Sequence, residues 1–391
     1  MGYLSYVPVA PHVHYTLLLD YALLFPVMLS GAEPTLTPPS VQLPIEFKML
    51  EWGFILYHSD EQVRPPRLRL GGALSVIPPH IQPEYRVGGR LPSNLWNVYT
   101  SLSGDELRVL RAIERWMRKY RYVPVELVER TSRLPPSRFS RAVKTLVTLK
   151  LVKRRLGSVS GYTLTYTGLD VLAIDNLRSR GIVEVLGDKI GLGKEGDVYV
   201  AVSPAGSKLT VKLHRAGRES FRKVRRHRSY ALDLRPTSWL DVSKALAERE
   251  FKILVRLEEE GARIPSPVAW NRHAVVQRYV EGVLLADVRV LDTEAAASIL
   301  RDVLETLRIA YTRVGVVHGD LSEYNVIATT EGRGVVIDWP QYVYRDEPHA
   351  LELLRRDVEY ILKYFRRRAG LKVELASALR YVMGESREPP V

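Results

Sequence analysis

The 391-residue sequence contains no cysteine. Disulfide scaffolds and thiolate metal sites are thereby excluded, and the composition suits a cytoplasmic protein or one that avoids thermally labile residues. An uninterrupted apolar run of membrane length is also missing. The most apolar stretch, YTLLLDYALLFPVMLSGA (15–32), is broken by Asp20 and Pro26 and has no Lys or Arg before it. It therefore reads neither as a spanning helix nor as a signal peptide. The opening Met-Gly lacks the hydroxyl residue at position 6 that N-myristoylation uses. No membrane partner is expected, and the cytoplasm is the expected compartment. Acidic residues are in deficit: 44 Asp and Glu against 57 Lys and Arg give a net charge of +13 and a pI near 9.7. That balance favours an anionic partner such as nucleotide or nucleic acid over a merely solubilising surface.

Charge and periodicity are both scarce in residues 1–95. This segment holds 13 of the 24 prolines, and doublets such as Pro38-Pro39, Pro65-Pro66 and Pro78-Pro79 interrupt any element that starts. It reads as a poorly ordered extension, or as an artefact if translation starts near Leu91–Val98. The whole chain is 46% hydrophobic and 26% charged, the balance of a globular protein with room for about two or three domains.

Residues 100–180 follow the plan of a winged helix. In SLSGDELRVLRAIERWMRKY, Ser103 and Glu106 form a capping box, and Leu107, Leu110, Ile113 and Met117 recur at helical spacing. A short helix around Val125–Glu129 follows, then one capped by Ser137 with Phe139, Val143, Leu146 and Val147 on its inner face. LVKRRL and GYTLTYT make a two-stranded ribbon, and a helix beginning at Gly168 closes the unit. Arg138, Arg141 and Lys144 on the third helix, with Lys153, Arg154 and Arg155 on the ribbon, are placed to touch phosphates; an ordinary solvated face is the plainer alternative.

Residues 187–282 carry a glycine loop. Gly191, Gly193 and Gly196 make G-x-G-x-x-G, but the loop runs into DVYVAV and then KLTVKL rather than into a helix. A dinucleotide-binding loop opens a helix; a glycine loop between antiparallel strands is that of a protein-kinase-like ATP site. Gly191, Gly193, Lys194, Glu195 and Gly196 would cradle the phosphates through backbone N–H groups. Lys212, on the next strand, is placed to reach the α- and β-phosphates. Its expected partner is Glu250 on the helix LDVSKALAEREFKILVRLEEEG, with Glu248 as the competitor.

Residues 283–391 complete the set. The helix DTEAAASILRDVLETLRIAYTRVG, capped by Asp292 and ended by Gly315, leads into VVHGDLSEYNVIA (316–328), and VVIDWP follows. Asp320 is the candidate to orient the proton of an attacking hydroxyl or water. Asn325 and Asp338 supply oxygens for Mg2+, which takes few protein ligands and completes its shell with water and phosphate. Asp and Asn are common turn formers, but Gly loop, strand lysine, helix glutamate, H-G-D-x-x-x-x-N and I-D in this order argue for a site. Two departures stand out. Gly319 replaces the arginine that pairs with a phosphorylated activation loop in most protein kinases. No A-P-E segment follows Asp338, so the second lobe is minimal. The expected fold class is α+β: an N-terminal winged helix and a minimal bilobal kinase-like domain.

The stretches IGLGKEGDVYVAV, SWL, EREF, IPSPVAWNRHAVVQ, VHGDLSEYNVI and VIDWPQYV resemble the RIO kinase family, in its winged-helix-containing branch, over about residues 100–370. The resemblance implies an ATP- and Mg2+-dependent atypical serine/threonine kinase, or one acting mainly as an ATPase through an aspartyl-phosphate at Asp338. It implies small ribosomal subunit precursors and their rRNA as partners, and another protein or the chain itself as phosphoacceptor. Lys212, Asp320, Asn325 and Asp338 keep the family's residue types, and Gln277, Arg278, Tyr279 and Val280 fall at the adenine-binding hinge. Gly196 stands where the family usually has a phosphate-contacting serine, and Arg278 where an acidic residue is common. The cationic run HRAGRESFRKVRRHRSY matches the family's flexible loop, here 214–240, and suits rRNA phosphates. Two other classes remain: a small-molecule phosphotransferase of the aminoglycoside type, and a nucleic-acid-binding nucleotide sensor without phosphotransfer.

Overall fold

The computed structural model describes residues 94–391 apart from 158–159, 193–195 and 216–238, together with the backbone of three short strands before them. The chain divides into two units, Met1–Arg67 and Leu68–Val391. The first is described at an antiparallel hairpin, Glu46–Leu50 with Gly53–Tyr57. In the second unit, the two-residue strand Leu74–Ser75 pairs with Val290–Leu291. The sequence reading anticipated none of these strands, because segments of two to five residues give too few alternations to register as a period. The rest of the proline-rich segment lies outside the described residues.

The winged helix contains α1 (Leu95–Thr100), α2 (Gly104–Trp116), α3 (Val125–Ser132), α4 (Pro136–Thr148) and α5 (Tyr166–Ser179). Val152–Arg155 and Gly161–Leu164 form the ribbon, and Val123–Pro124 pairs with its second strand. α2 starts at its capping box: the Ser103 amide donates to the Glu106 carboxylate at 2.9 Å. α4 starts differently from the sequence reading. Pro136 occupies its first turn, where a fixed φ and a missing N–H cost nothing, and Ser137 makes no cap. Its inner face is Phe139, Ala142, Val143 and Leu146, while Val147 is exposed. α5 begins two residues early because the Thr165 hydroxyl, not Gly168, forms its cap, accepting the Gly168 amide at 3.1 Å.

Next comes a five-stranded antiparallel sheet in the order Pro267–Asn271, Ala274–Arg278, Lys208–His214, Gly196–Val202 and Val185–Leu192. Strand alternation divides the central strand: Leu209, Val211 and Leu213 enter the core, and Lys212 and His214 point to the other face. Across that face lies α6 (Trp239–Glu259). The second lobe holds α7 (Thr293–Ile309), α8 (Ala350–Ala369) and α9 (Leu375–Val382), with small antiparallel sheets between them. Asp292 caps α7, accepting the Ala295 amide at 2.8 Å.

Two hydrophobic cores result. One fills the second lobe and includes Ala247, Ile253, Leu254 and Leu257 of α6. The other is shared: Leu110, Ile113, Leu146 and Leu172 of the winged helix pack in the same cluster as Leu209, Val211 and Leu213 of the sheet. The boundary read between residues 180 and 187 thus runs through one continuous interior. Among the described residues, no helix is long and apolar enough to cross a membrane.

Candidate active site

Lys212 joins the two lobes. Its Nζ lies 2.6 Å from Glu250 Oε1 and also contacts Asp338 Oδ1. Glu250, fully buried, turns its other oxygen to His214 Nε2 at 2.6 Å. Glu248, two residues earlier, is half-buried and pairs with Lys252 instead. The helical phase explains this, since Glu250 shares the inner face of α6 with Leu246, Ile253, Leu254 and Leu257. Burial favours the neutral acid, but the Lys212 charge and the hydrogen bonds from Lys212 and His214 outweigh it and hold Glu250 down at about 2. Burial likewise works against the Lys212 ammonium, yet Asp338 and Glu250 raise its pKa, so it stays charged.

The loop after Val316–Val317 brings the other acids to the same place. Asn325 Nδ2 donates to the Asp320 carbonyl at 2.8 Å, which leaves its amide oxygen for another partner. The Ile337 amide donates to the Asn325 carbonyl at 2.9 Å, setting Asp338 beside Asn325. Asp338 adopts a left-handed backbone with φ 67°, an uncommon conformation for aspartate that turns its carboxylate toward Lys212. Asp320 is exposed.

Three supporting residues were missed by the sequence reading. His214 lies two positions after Lys212 and so shares its face of the strand. His318 is fully buried, donates from Nε2 to the Ile337 carbonyl at 3.0 Å, and packs 4.6 Å from the Trp339 ring. Asp357 of α8, also fully buried, accepts the Gly319 amide at 2.7 Å and the Leu321 amide at 3.2 Å, fixing the backbone on both sides of Asp320. Burial pushes the Asp357 carboxyl up, against the pull of His318 and these amides. Its signal in the sequence was an acid within the apolar stripe Leu354, Val358 and Ile361.

The two glycine departures have steric causes. At Gly319 φ is 78°, and a Cβ would lie 3.0 Å from the Gln341 carbonyl oxygen. A Cβ at Gly196 would lie 2.6 Å from the Leu213 carbonyl oxygen across the sheet. Gly191 has room for a Cβ, at ordinary contact distance from Val198. Gly193, Lys194 and Glu195 lie outside the described residues, as does most of the 214–240 run. At the hinge, Gln277 is buried on its strand. The Arg278 amide donates to Ser266 at 2.8 Å and the Tyr279 amide to Lys208 at 3.2 Å, so both are engaged by neighbouring segments.

The sequence profile of the RIO domain matches residues 197–378, and that of the Rio2 N-terminal domain matches residues 99–180. The RIO-type serine/threonine-protein kinase Rio2 of Methanocaldococcus jannaschii is 35% identical over 254 residues, covering 64% of this chain and 92% of that one. The chain belongs to the RIO kinase family, in its Rio2 branch. Serine/threonine-protein kinase RIO2 of Caenorhabditis elegans is 38% identical over 274 residues, 70% of this chain and 51% of its own, so this Rio2-type kinase spans about half the length of that relative. Among solved structures, the Rio2 kinase of Chaetomium thermophilum in its ADP/Mg2+-phosphoaspartate complex is similar at TM-score 0.61 and 30% identity, covering 75% of this chain and 90% of that one.

Proposed function

We propose that this Rio2-type kinase uses ATP and Mg2+ to transfer a phosphoryl group to a serine or threonine, to water, or to both. The observation that carries this reading is Lys212 Nζ, which bridges Glu250 and Asp338 from the strand behind the glycine loop. Such a cation, held charged by two acids, is placed to bind a nucleotide's phosphates. Asn325 and Asp338 offer hard oxygen donors, which suit Mg2+. Among the described residues no cluster of three or more acidic or histidine side chains forms a closed metal cage, consistent with an ion that would complete its shell from phosphate and water. When bound, Mg2+ and ATP supply charge neutralisation and the transferable group. Asp320 accepts the proton of the attacking hydroxyl or orients it, and its exposure lets a large acceptor approach.

Asp338 is the proposed acceptor of an aspartyl-phosphate, by analogy with the Chaetomium complex. In that route the bond from the γ-phosphorus to the bridging oxygen breaks, a carboxylate oxygen bonds the phosphorus, ADP leaves, and water later releases phosphate.

Incubation with γ-labelled ATP, with and without small-subunit precursors, tests both routes. Acid-stable label indicates phosphoserine or phosphothreonine. Label released by neutral hydroxylamine indicates an acyl phosphate on aspartate. Lys212→Ala and Asp338→Asn should lower turnover at least about 100-fold. Nucleotide binding without turnover by the wild type would replace the enzyme by a nucleotide sensor.

We further propose the small-subunit precursor and its rRNA as the partner, with the cytoplasm as the compartment. Arg141, Lys144, Lys153, Arg154 and Arg155 are exposed on α4 and the ribbon, while Arg138 is paired with Asp105. Serine at Arg222, Lys223, Arg225 and Arg226 together should weaken association and flatten its salt dependence; unchanged binding would remove that run from the interface.

A further inference from the structure

The winged helix meets the kinase sheet through two partly to fully buried polar clusters, and one of them continues into the phosphate site. In the first, Glu114 of α2 accepts from Arg272 at 2.8 and 2.9 Å and from Lys244 at 2.9 Å, tying α2 to α6 and to the turn between two strands. The second centres on Asp170 of α5, which is 2% exposed. Arg215 grips both its oxygens at 2.6 and 2.8 Å and also donates from Nε to Asp197 at 3.0 Å, the residue after Gly196.

Asp170 Oδ1 accepts as well from His273 Nε2 at 2.7 Å. From there the path passes through backbone and returns to a side chain. The His273 carbonyl accepts the His214 amide at 2.8 Å, His214 Nε2 donates to Glu250 at 2.6 Å, and Glu250 accepts Lys212 at 2.6 Å. Both histidines are fully buried, and among the described residues the Nδ1 atom of each has no hydrogen-bond partner. Rings that carry their proton on Nε2 fit this, since a bare Nδ1 leaves no buried donor unsatisfied.

We propose that Asp170, although part of the winged helix, is a positioning residue for the phosphate-binding site. It fixes Arg215 beside the glycine strand, and it fixes His273, whose backbone holds the strand end that bears His214 and Lys212. Its buried carboxylate accepts from a buried imidazole and a half-buried guanidinium. Losing that acceptor strands a buried N–H and loosens the guanidinium, so the neighbours must move. The proposal rests on Lys212 being a nucleotide ligand, and it adds the first lobe's dependence on a residue outside that lobe.

The test compares Asp170→Asn with Glu114→Gln in the full chain. Three quantities are read: affinity for Mg-ATP by calorimetry, the His214 side-chain nitrogen resonances of nucleotide-free protein, and the melting temperature. Asp170→Asn should weaken Mg-ATP binding roughly 3- to 30-fold and move the His214 resonances. Asp170→Glu should recover part of the affinity. Glu114→Gln should lower the melting temperature while leaving affinity and His214 unchanged. Unmoved His214 resonances in Asp170→Asn would overturn the proposal, and so would equal effects from Glu114→Gln. Should Asp170→Asn fail to fold, Arg215→Lys, which keeps the charge but loses the fork, is read the same way. Failure of the wild type to bind Mg-ATP would count against the function, and the His214 arm would still judge the network.

Discussion

Arg249 lies over Tyr342, its guanidinium carbon 3.6 Å from the ring centroid, and donates to the Tyr342 carbonyl. Arg249 precedes Glu250 on α6, and Tyr342 follows the Asp338 segment, with its amide bonded to the Trp339 carbonyl at 3.3 Å. The contact therefore fastens the helix that carries Glu250 to the segment that carries Asp338. Gly319 provides no arginine for a phosphorylated activation loop, so this joint offers a standing means of keeping Lys212, Glu250 and Asp338 together.

Replacing Arg249 by methionine should destabilise the protein by about 1–3 kcal/mol in urea unfolding and lower phosphate release in parallel. Tyr342→Phe keeps the ring and the carbonyl and should behave nearly as wild type. A large loss in Tyr342→Phe would transfer the role to the buried hydroxyl.

Asp357→Asn leaves one acceptor oxygen where two amides now bond. Turnover should fall about 10- to 100-fold with Mg-ATP affinity retained, because the loop around Asp320 shifts while Lys212 does not. Steady-state kinetics alongside calorimetric binding would check this split.

Gly196→Ser should not restore the phosphate contact that a serine makes elsewhere in the family. The new Cβ would meet the Leu213 carbonyl at 2.6 Å, one residue after Lys212, so the two strands must separate. A stability loss of about 1–3 kcal/mol and weaker nucleotide binding are expected, measured by thermal unfolding and calorimetry.

Acid should expose the contribution of Glu250. Its value in the folded protein is depressed from 4.5 to about 2, so its stabilisation is fully present above pH 4.5 and is lost as pH falls toward 2. Asp357 works in the opposite direction. Its value is raised above 3.8, so protonation as pH falls through that raised value toward 3.8 favours the folded state. Glu250→Gln should cost about 3–5 kcal/mol at neutral pH, by leaving Lys212 short of a buried partner. It should also flatten the dependence of stability on pH between 4.5 and 2, read from urea midpoints across that range.

Much of this was legible because local rules carry it. The Ser103–Glu106 box and the Asp292 cap each follow from neighbours in sequence. Lys212, Asp320, Asn325 and Asp338 were readable because each falls in or just after a short local pattern: the glycine loop and the strand behind it, H-G-D-x-x-x-x-N, and I-D. What escaped depends on approach between distant segments. Nothing near Gly196 or Gly319 announces the carbonyls of Leu213 and Gln341. Asp170 reads as an ordinary helix residue until Arg215 and His273 are folded against it. The common core was hidden for the same reason: α2, α4 and α5 are written long before the strand face they cover.

That common core also constrains engineering. A crossover near residue 183 would hand the sheet a foreign partner and leave Leu209, Val211 and Leu213 facing water or a misfit surface. In this protein the two halves would therefore need to be swapped or redesigned as a single piece.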